Sequence, residues 1–477
     1  MTALPEGWIE TILGEVVKPR NEKALPINLG AIQFIGMDDI ESQSFKLLGS
    51  KPIEQLRSAV AVFEEGDVLY GRLRPYLNKV YVAEFAGAAS AEFIILPSSV
   101  AIVGKYLLFL LGQRDFVEFA MMRSTGDRPR VNFEAVCDYP ISLPPLAEQH
   151  RIVAKLDALF ARTRQAREEV ETIPTLIEHY KQAILAAAFR GELTAEWRST
   201  RIEIEPAIEL VNRIPEPQQP RGGREATDTV IEGRAALSVN VPERPAPNGW
   251  AWVPLLRIAR QETGHTPSRK HPEYWDGDIP WIGIRDAGDH HGSLIMDTYQ
   301  HVTEEGLVNS SARLLPKDTI CLSRTASVGY IVRMGRDMAT SQDFVTWTCS
   351  EAIDPDYLLY ALLAEGDDIR RFGKGSTHTT IYFPEVRALH ICLAPLEEQR
   401  EIVKRVKAAL DWVDSVAYEV SYATELLPQL ESAMLGKAFR GELVPQDPND
   451  EPASILLERI REARAEQSNG NRRQKRK

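Results

Sequence analysis

The sequence predicts an α+β chain: two mixed α/β domains separated by an antiparallel two-helix coiled coil and related by a pseudo-two-fold internal repeat. Three observations carry this. Landmarks recur with a period of about 250 residues: PEGW at Pro5 to Trp8 returns as PNGW at Pro247 to Trp250, ISLPPLAEQHRIV from Ile141 returns as ICLAPLEEQREIV from Ile391, and AFRGEL from Ala188 returns from Ala438. Behind each second landmark an apolar stripe advances in a 4-3-4-3 stride, the spacing of a coiled-coil seam. Between the landmarks, short β-branched and aromatic runs are bounded by turn residues, the pattern of strands.

Taken in order, residues 1–143 are the first globular segment, with strands from Ala31, Asp67, Lys79 and Glu92 and a helix over Lys105 to Met122. Residues 144–198 are the first long helix. Its stripe runs Ile152, Leu156, Leu159, Thr163, Ala166, Val170, Ile173, Ile177, Tyr180, Ile184. Residues 199–247 form a linker broken by six prolines between Pro215 and Pro247, with one short helix over Ala207 to Ile214. Residues 248–393 repeat the globular pattern, with strands from Ile279, Asp318, Tyr330 and Asp343 and a helix near Asp356 to Phe372. Residues 394–445 are the second long helix, with a stripe at Ile402, Val406, Ala409, Val413, Val416, Val420, Ala423, Leu427, Leu430 and Met434. Residues 446–477 hold a short helix and the basic run NRRQKRK. Pro174 and Pro428 lie beside the stripes, so they predict a kink and not a stop. Because the second globular segment feeds directly into the second helix, a shared seam requires the helices to run antiparallel. The alternative is two amphipathic helices lying on separate cores.

Composition removes several classes. Of 477 residues, 44% are hydrophobic and 26% charged, an ordinary globular balance. The most apolar stretch, Phe93 to Leu111, is interrupted by Pro97 and Lys105, so no membrane span is expected. The start MTALPEGWIE lacks the regions of a signal peptide, which predicts a cytoplasmic protein. Cys137, Cys321, Cys349 and Cys392 contain no CxxC pair and are expected to be buried, reduced thiols. The net charge of −12 argues against nucleic acid, but phosphate contact depends on local patches. Among the 56 basic residues 40 are Arg, the side chain suited to bidentate recognition of bases and phosphates.

Motifs for chemistry are missing. No GxxxxGK[ST] loop occurs, no lysine follows an acid by two positions, and neither [DNS]PP[YF] nor HExxH is present. The chain is expected to catalyse nothing by itself and to bind no cofactor or metal. Basic loops do occur at corresponding places in both halves. YGRLRPYLNKV offers Arg72, Arg74, Tyr76 and Asn78; GDRPRVNF offers Arg128, Arg130 and Asn132; SRTASVGY offers Arg324; and GKGSTHTT offers Lys374, Ser376, Thr377 and His378. Such side chains supply phosphate anchors and base-edge donors.

With these motifs in hand, the chain resembles the specificity subunit of type I restriction–modification systems over nearly its whole length. The resemblance rests on GW opening each half, PLAEQHRIV and PLEEQREIV at the helix entries, and AFRGEL at both helix ends. GDVLYGRLRPYLNK with GDRPRVNF, and TPSRKHPEYWDGDIPWIGIRD with GSTHTTIYFPEV, resemble two types of target-recognition domain. It implies that each globular segment reads one half of a split double-stranded DNA target. The helices would space the halves and dock two methyltransferase subunits, with motor–nuclease subunits joining for cleavage. S-adenosylmethionine, ATP and Mg would then belong to the partners. A stand-alone DNA-binding repressor and a coiled-coil scaffold that never touches DNA are the two rival readings.

Overall fold

The structure, a computed structural model, describes residues 4–53, 57–99, 101–201, 203–220, 235–237, 244–372 and 380–462. The chain divides into two compact units, residues 1–171 with 420–477 and residues 172–419. The division falls within both long helices, Leu146–Phe189 and Leu396–Phe439. Each unit therefore contains the start of one long helix and the end of the other.

In the first unit, the strand Val68–Gly71 lies antiparallel between Val80–Val82 and Phe93–Leu96. A second sheet has the order Lys23–Ala24, Val60–Phe63, Gly87–Ala89, Gln33–Ile35, Lys51–Pro52. Both faces of Val68–Gly71 are buried, as its uninterrupted apolar run requires. The helix foreseen over Lys105 to Met122 is two helices, Gly104–Gly112 and Arg114–Met122, because Gln113 between them is extended. Phe45 explains the glycine at the join: its ring lies where any side chain at Gly112 would be, 2.3 Å from an added Cβ. The main core joins Val68, Tyr70, Tyr106, Leu107 and Phe116 to Ile152 and Leu156 of one long helix and Leu435 and Ala438 of the other.

In the second unit, Ile320–Ser323 lies antiparallel between Ile331–Met334 and Phe344–Cys349. Ala259–Thr263 and Leu294–Ile295 extend this sheet at its edges. The smaller sheet holds Trp275–Ile282 between Gln300–Val302 and Ala339–Thr340. Its main core unites Ile320, Trp347 and Tyr357 with Leu185 and Phe189 and with Ile402 and Val406. The expected helix from Asp356 to Phe372 begins at Pro355 and ends at Leu363; the remainder is a 3-10 segment, Gly366–Phe372, entered through Gly366 at φ +52°. Linker residues Ala207–Arg213 are helical as expected. Ala235–Ala236 pairs parallel with Leu389–Leu393, a strand that nothing in the linker's composition foretold.

The long helices pack antiparallel within each unit and run through Pro174 and Pro428 without stopping. In the first unit Arg167 pairs with Glu431 at 3.2 Å, and Thr163 donates to the same carboxylate at 2.9 Å. In the second, Lys181 pairs with Asp414 at 2.9 Å and Tyr180 meets the edge of Trp412. The seam is dry at its domain ends, where Ile152, Leu156, Ile402 and Val406 are fully buried. Farther along, Leu159, Val170, Ile173, Ile177, Val416, Val420 and Leu427 are half-buried. Three seam positions depart from expectation: Ala423 is exposed, and Tyr180 and Leu430 are 44% and 47% exposed. Two helices alone cannot enclose an a/d stripe from both sides, so its flank stays open to solvent. Among the described residues all four cysteines are free, and two, Cys137 and Cys349, are only half-buried.

Candidate nucleic-acid interface

The repeated landmarks close each unit around a buried glutamate. In the first unit Trp8 Nε1 donates to Glu148 at 3.0 Å, and Gln446 donates to its other oxygen at 3.1 Å. In the second, Trp250 Nε1 donates to Glu398 at 3.0 Å, joined by Thr194 Oγ1 at 2.7 Å and Arg198 Nε at 3.1 Å. The adjacent glutamine has one job in both places. Gln149 binds Val103 N–H and the carbonyls of Ala101 and Pro144; Gln399 binds Asp354 N–H and the carbonyls of Ala352 and Ala394. Gly191 and Gly441, just past the helix ends, have φ +74° and +71°, the left-handed conformation glycine supplies at a helix C-terminus. An added Cβ would stand 2.7 Å from Pro247 and 2.4 Å from Pro5 respectively. Thus GW, the EQ pair and AFRGEL hold each domain on its helices. Burial raises the Glu148 carboxyl above its ordinary range, and its bonds to Gln446 and Trp8 only partly offset that.

On this base each unit presents the same strand-end arginine. Arg72 follows Val68–Gly71, and Arg324 follows Ile320–Ser323. Arg72 N–H donates to Glu92 O and its carbonyl accepts from Val131 N–H; Arg324 N–H donates to Asp343 O and its carbonyl accepts from Ile381 N–H. Both Nε atoms are buried without a partner. Arg72 reaches Asn132, the residue before the short helix Phe133–Val136. Arg324 lies 4.5 Å over the ring of Phe383, the first residue of the corresponding helix Phe383–Arg387. Burial pulls the Arg324 guanidinium below its ordinary pKa, against the pull of Asp343.

The structure brings the two basic loops of the first unit together. Thr125 and Arg130 exchange backbone bonds, making a tight loop with Arg128 exposed near its tip. That loop accepts Arg74 N–H at Pro129 O, 2.7 Å, and Leu73 bridges Arg130. Arg74, Arg128 and Asn132 are exposed, as is Tyr76 at 46%. Tyr76 sits on a 3-10 turn, Pro75–Leu77, flanked by Arg74 and Asn78 at φ 53° and 45°. Left-handed conformations in such residues are uncommon and collect at functional sites. Arg130 spends part of its charge on Glu92 at 2.7 Å. Asn78 needs correction as a surface residue: it is buried, and its amide donates to Gly112 O at 2.9 Å, so it ties the turn to the helix behind it. Lys374, Ser376, Thr377 and His378 lie outside the described residues. A small cleft of about 150 Å³ beside Arg72 is lined by Arg20, Lys23 and Asn132. Among the described residues no group of His, Cys, Asp and Glu could hold a metal ion, and no helix is long and apolar enough to cross a membrane.

Comparison with known proteins places this architecture. A family model described as the type I restriction modification DNA specificity domain matches residues 5–172 and again 247–414. The chain is 29% identical over 234 residues to the type I restriction enzyme EcoDI specificity subunit of Escherichia coli, covering 48% of this chain and 52% of that protein. It is 24% identical over 339 residues to the EcoKI specificity subunit of Escherichia coli strain K12, covering 68% and 64%. The matches thus span about half to under two-thirds of these relatives' length. Among solved structures, a chain from work on complex assembly and conformational transition of the type I R-M system aligns at TM-score 0.67 and 23% identity, covering 93% of this chain and 100% of that one. The HsdS subunit from Thermoanaerobacter tengcongensis aligns at TM-score 0.63 and 22% identity, covering 92% and 98%. At these identities the structural likeness is one of fold.

Proposed function

This chain belongs to the family of type I restriction–modification DNA specificity proteins, and from that premise we propose that it is the sequence-reading subunit of a type I restriction–modification complex. It takes a bipartite double-stranded DNA target, one half-site on each domain. Two methyltransferase subunits dock on the long helices and motor–nuclease subunits join them. Adenine methylation from S-adenosylmethionine and ATP- and Mg-dependent cleavage are the partners' chemistry, carried out in the cytoplasm as a defence against phage. The chain is the non-catalytic part.

The observation that supports the reading best is the repeated strand-end arginine. Arg72 and Arg324 have the same backbone bonds in both units but different neighbours, Asn132 in one and Phe383 in the other. A common scaffold with divergent side chains around it is what independent reading of two unlike half-sites requires. Arg74, Arg128 and Arg130 supply further donors in the first unit; Lys374, Ser376, Thr377 and His378 are assigned to the second on sequence alone.

The test is methylation-site mapping with the partner methyltransferase present. Arg74→Ala is expected to cost about 1–3 kcal/mol and to relax one position of one half-site if it contacts a base. If it contacts phosphate, it weakens all sequences alike and flattens the salt dependence. Tight specific binding by the chain alone would favour a stand-alone repressor, and no DNA binding even with the partner would favour a scaffold.

A further inference from the structure

The motif from Thr266 to Asp286 builds a second arginine-bearing surface on the second unit, away from the Arg324 strand end in sequence and carried by the smaller sheet. Trp281 and Gln300 are directly paired across that sheet. Next to Gln300, Tyr299 offers a ring that is 60% exposed, and the Arg285 guanidinium lies 4.0 Å over it. The Arg269 guanidinium lies 4.5 Å over Trp275 and donates to Gln300 at 3.0 Å. Arg285, Tyr299 and Gln300 border an open cleft of about 440 Å³ that is also lined by Trp281, Ser341 and the acidic Asp286 and Asp343.

Charge bookkeeping singles these arginines out. In the same unit Arg260 and Arg313 pair with Glu262, and Arg333 pairs with Asp318 and Asp356. Among the described residues, the one ion pair of Arg285 is a loose 3.9 Å approach to Asp289, with the arginine side chain 75% exposed. Arg269 has no ion pair among them. Stacking on an aromatic face fixes the guanidinium plane and leaves its donor edge free, which lowers the entropy lost on contact.

The repeat supplies the control. Gly283 N–H donates to Asp286 at 2.9 Å, and in the first unit Gly36 N–H donates to Asp39 at 2.8 Å. Both turns follow strands paired parallel to a small-residue strand, Trp281 with Ala339 and Phe34 with Ala88. The turn is therefore shared scaffold, and Arg285 occupies the place of the exposed Asp38. Tyr299 and Gln300 likewise stand where the first unit has Ser50 and Lys51. An arginine in the second unit stands where the first has an acid, at an exposed position of the shared turn, and among the described residues only the second unit has an aromatic ring beneath it.

We infer that Arg285, held over Tyr299, reads the edge of a guanine in the half-site taken by the second unit, with Gln300 lining the same cleft and Arg269 bonded to Gln300. This rests on the proposed DNA-reading function. A guanidinium donates to guanine O6 and N7 together, whereas a glutamine amide matches adenine N6 and N7. In the assembled complex with its methyltransferase, Arg285→Ala should lower discrimination at one position of one half-site by about 5- to 150-fold and leave the other half-site unchanged. Arg285→Gln should shift that position toward adenine. Tyr299→Ser, which removes the platform but not the arginine, should relax the same position by a smaller factor. Arg285→Ala with every positional preference retained overturns the inference, as does an even loss across all sequences with a shallower salt dependence. If the unaltered complex shows no bipartite target, it is the DNA-reading function that fails; if it does and Arg285→Ala changes nothing, only this inference fails.

Discussion

Glu148 and Glu398 occupy the same place in their units, each buried, each accepting a tryptophan N–H, yet among the described residues only Glu398 has a cation bonded to it. Arg198 lies on Glu398 at 3.1 Å, with the carboxylate side chain fully buried. At Glu148 the second donor is the neutral amide of Gln446, and the nearby Arg151 is bound to Asp450 at 2.6 Å instead. The difference shows that the repeated motif specifies a buried acceptor for tryptophan, and that its charge is handled locally by whatever follows the incoming helix. In the second unit that is the segment after Gly191; in the first it is the segment after Gly441.

Removing either glutamate tests this difference. The largest effect is expected at Glu398→Ala, which strands Arg198 as an uncompensated charge and leaves Trp250 and Thr194 without an acceptor, a cost of about 3–5 kcal/mol. Glu148→Ala removes the acceptor for Trp8 and Gln446 but strands no cation bonded to it, so about 1–3 kcal/mol is expected. Urea unfolding of the two variants, followed on the intact chain, checks both. Equal losses would mean that Arg198 adds nothing to the second site.

A smaller effect sharpens the same contrast through pH. The folded pKa of Glu148 is raised above its ordinary value of 4.5, so between the two values the folded chain binds more protons than the unfolded one. Stability from this group therefore falls as pH rises from the ordinary value through the raised one, and is level above it. Glu148→Gln keeps an oxygen acceptor and removes the titration. Relative to it, the unaltered chain should lose stability across that window, as measured by unfolding at pH 4 to 7. A constant difference between the two across the window would contradict the burial argument.

How much of this was legible in the sequence depended on range. The repeat, the seam and the strands around Val68 and Ile320 are written in local periodicity and in spacing, and they appear in the fold. The function of GW and EQ was not legible, because Trp8 meets Glu148 across 140 positions and no local pattern encodes that bond. Asn78 looked like a surface residue amid Arg and Tyr, but a left-handed turn carries its amide inward. Gly112 looked like one more helical position until Phe45, distant in sequence, filled the space beside it. Arg285 was invisible for a related reason: its platform, Tyr299, comes 14 residues later and reaches it through an antiparallel strand pair. Residues that face solvent on a shared scaffold leave no periodic trace, and those are the residues that read DNA in this account.

The central claim is that each unit reads its own half-site. The direct measurement replaces Pro247 to Leu389 with the matching segment of a relative and maps methylated adenines in the presence of the methyltransferase. The account predicts that one half-site changes to that of the donor while the other keeps its sequence. A change in both half-sites together, or in neither while methylation persists, would contradict it.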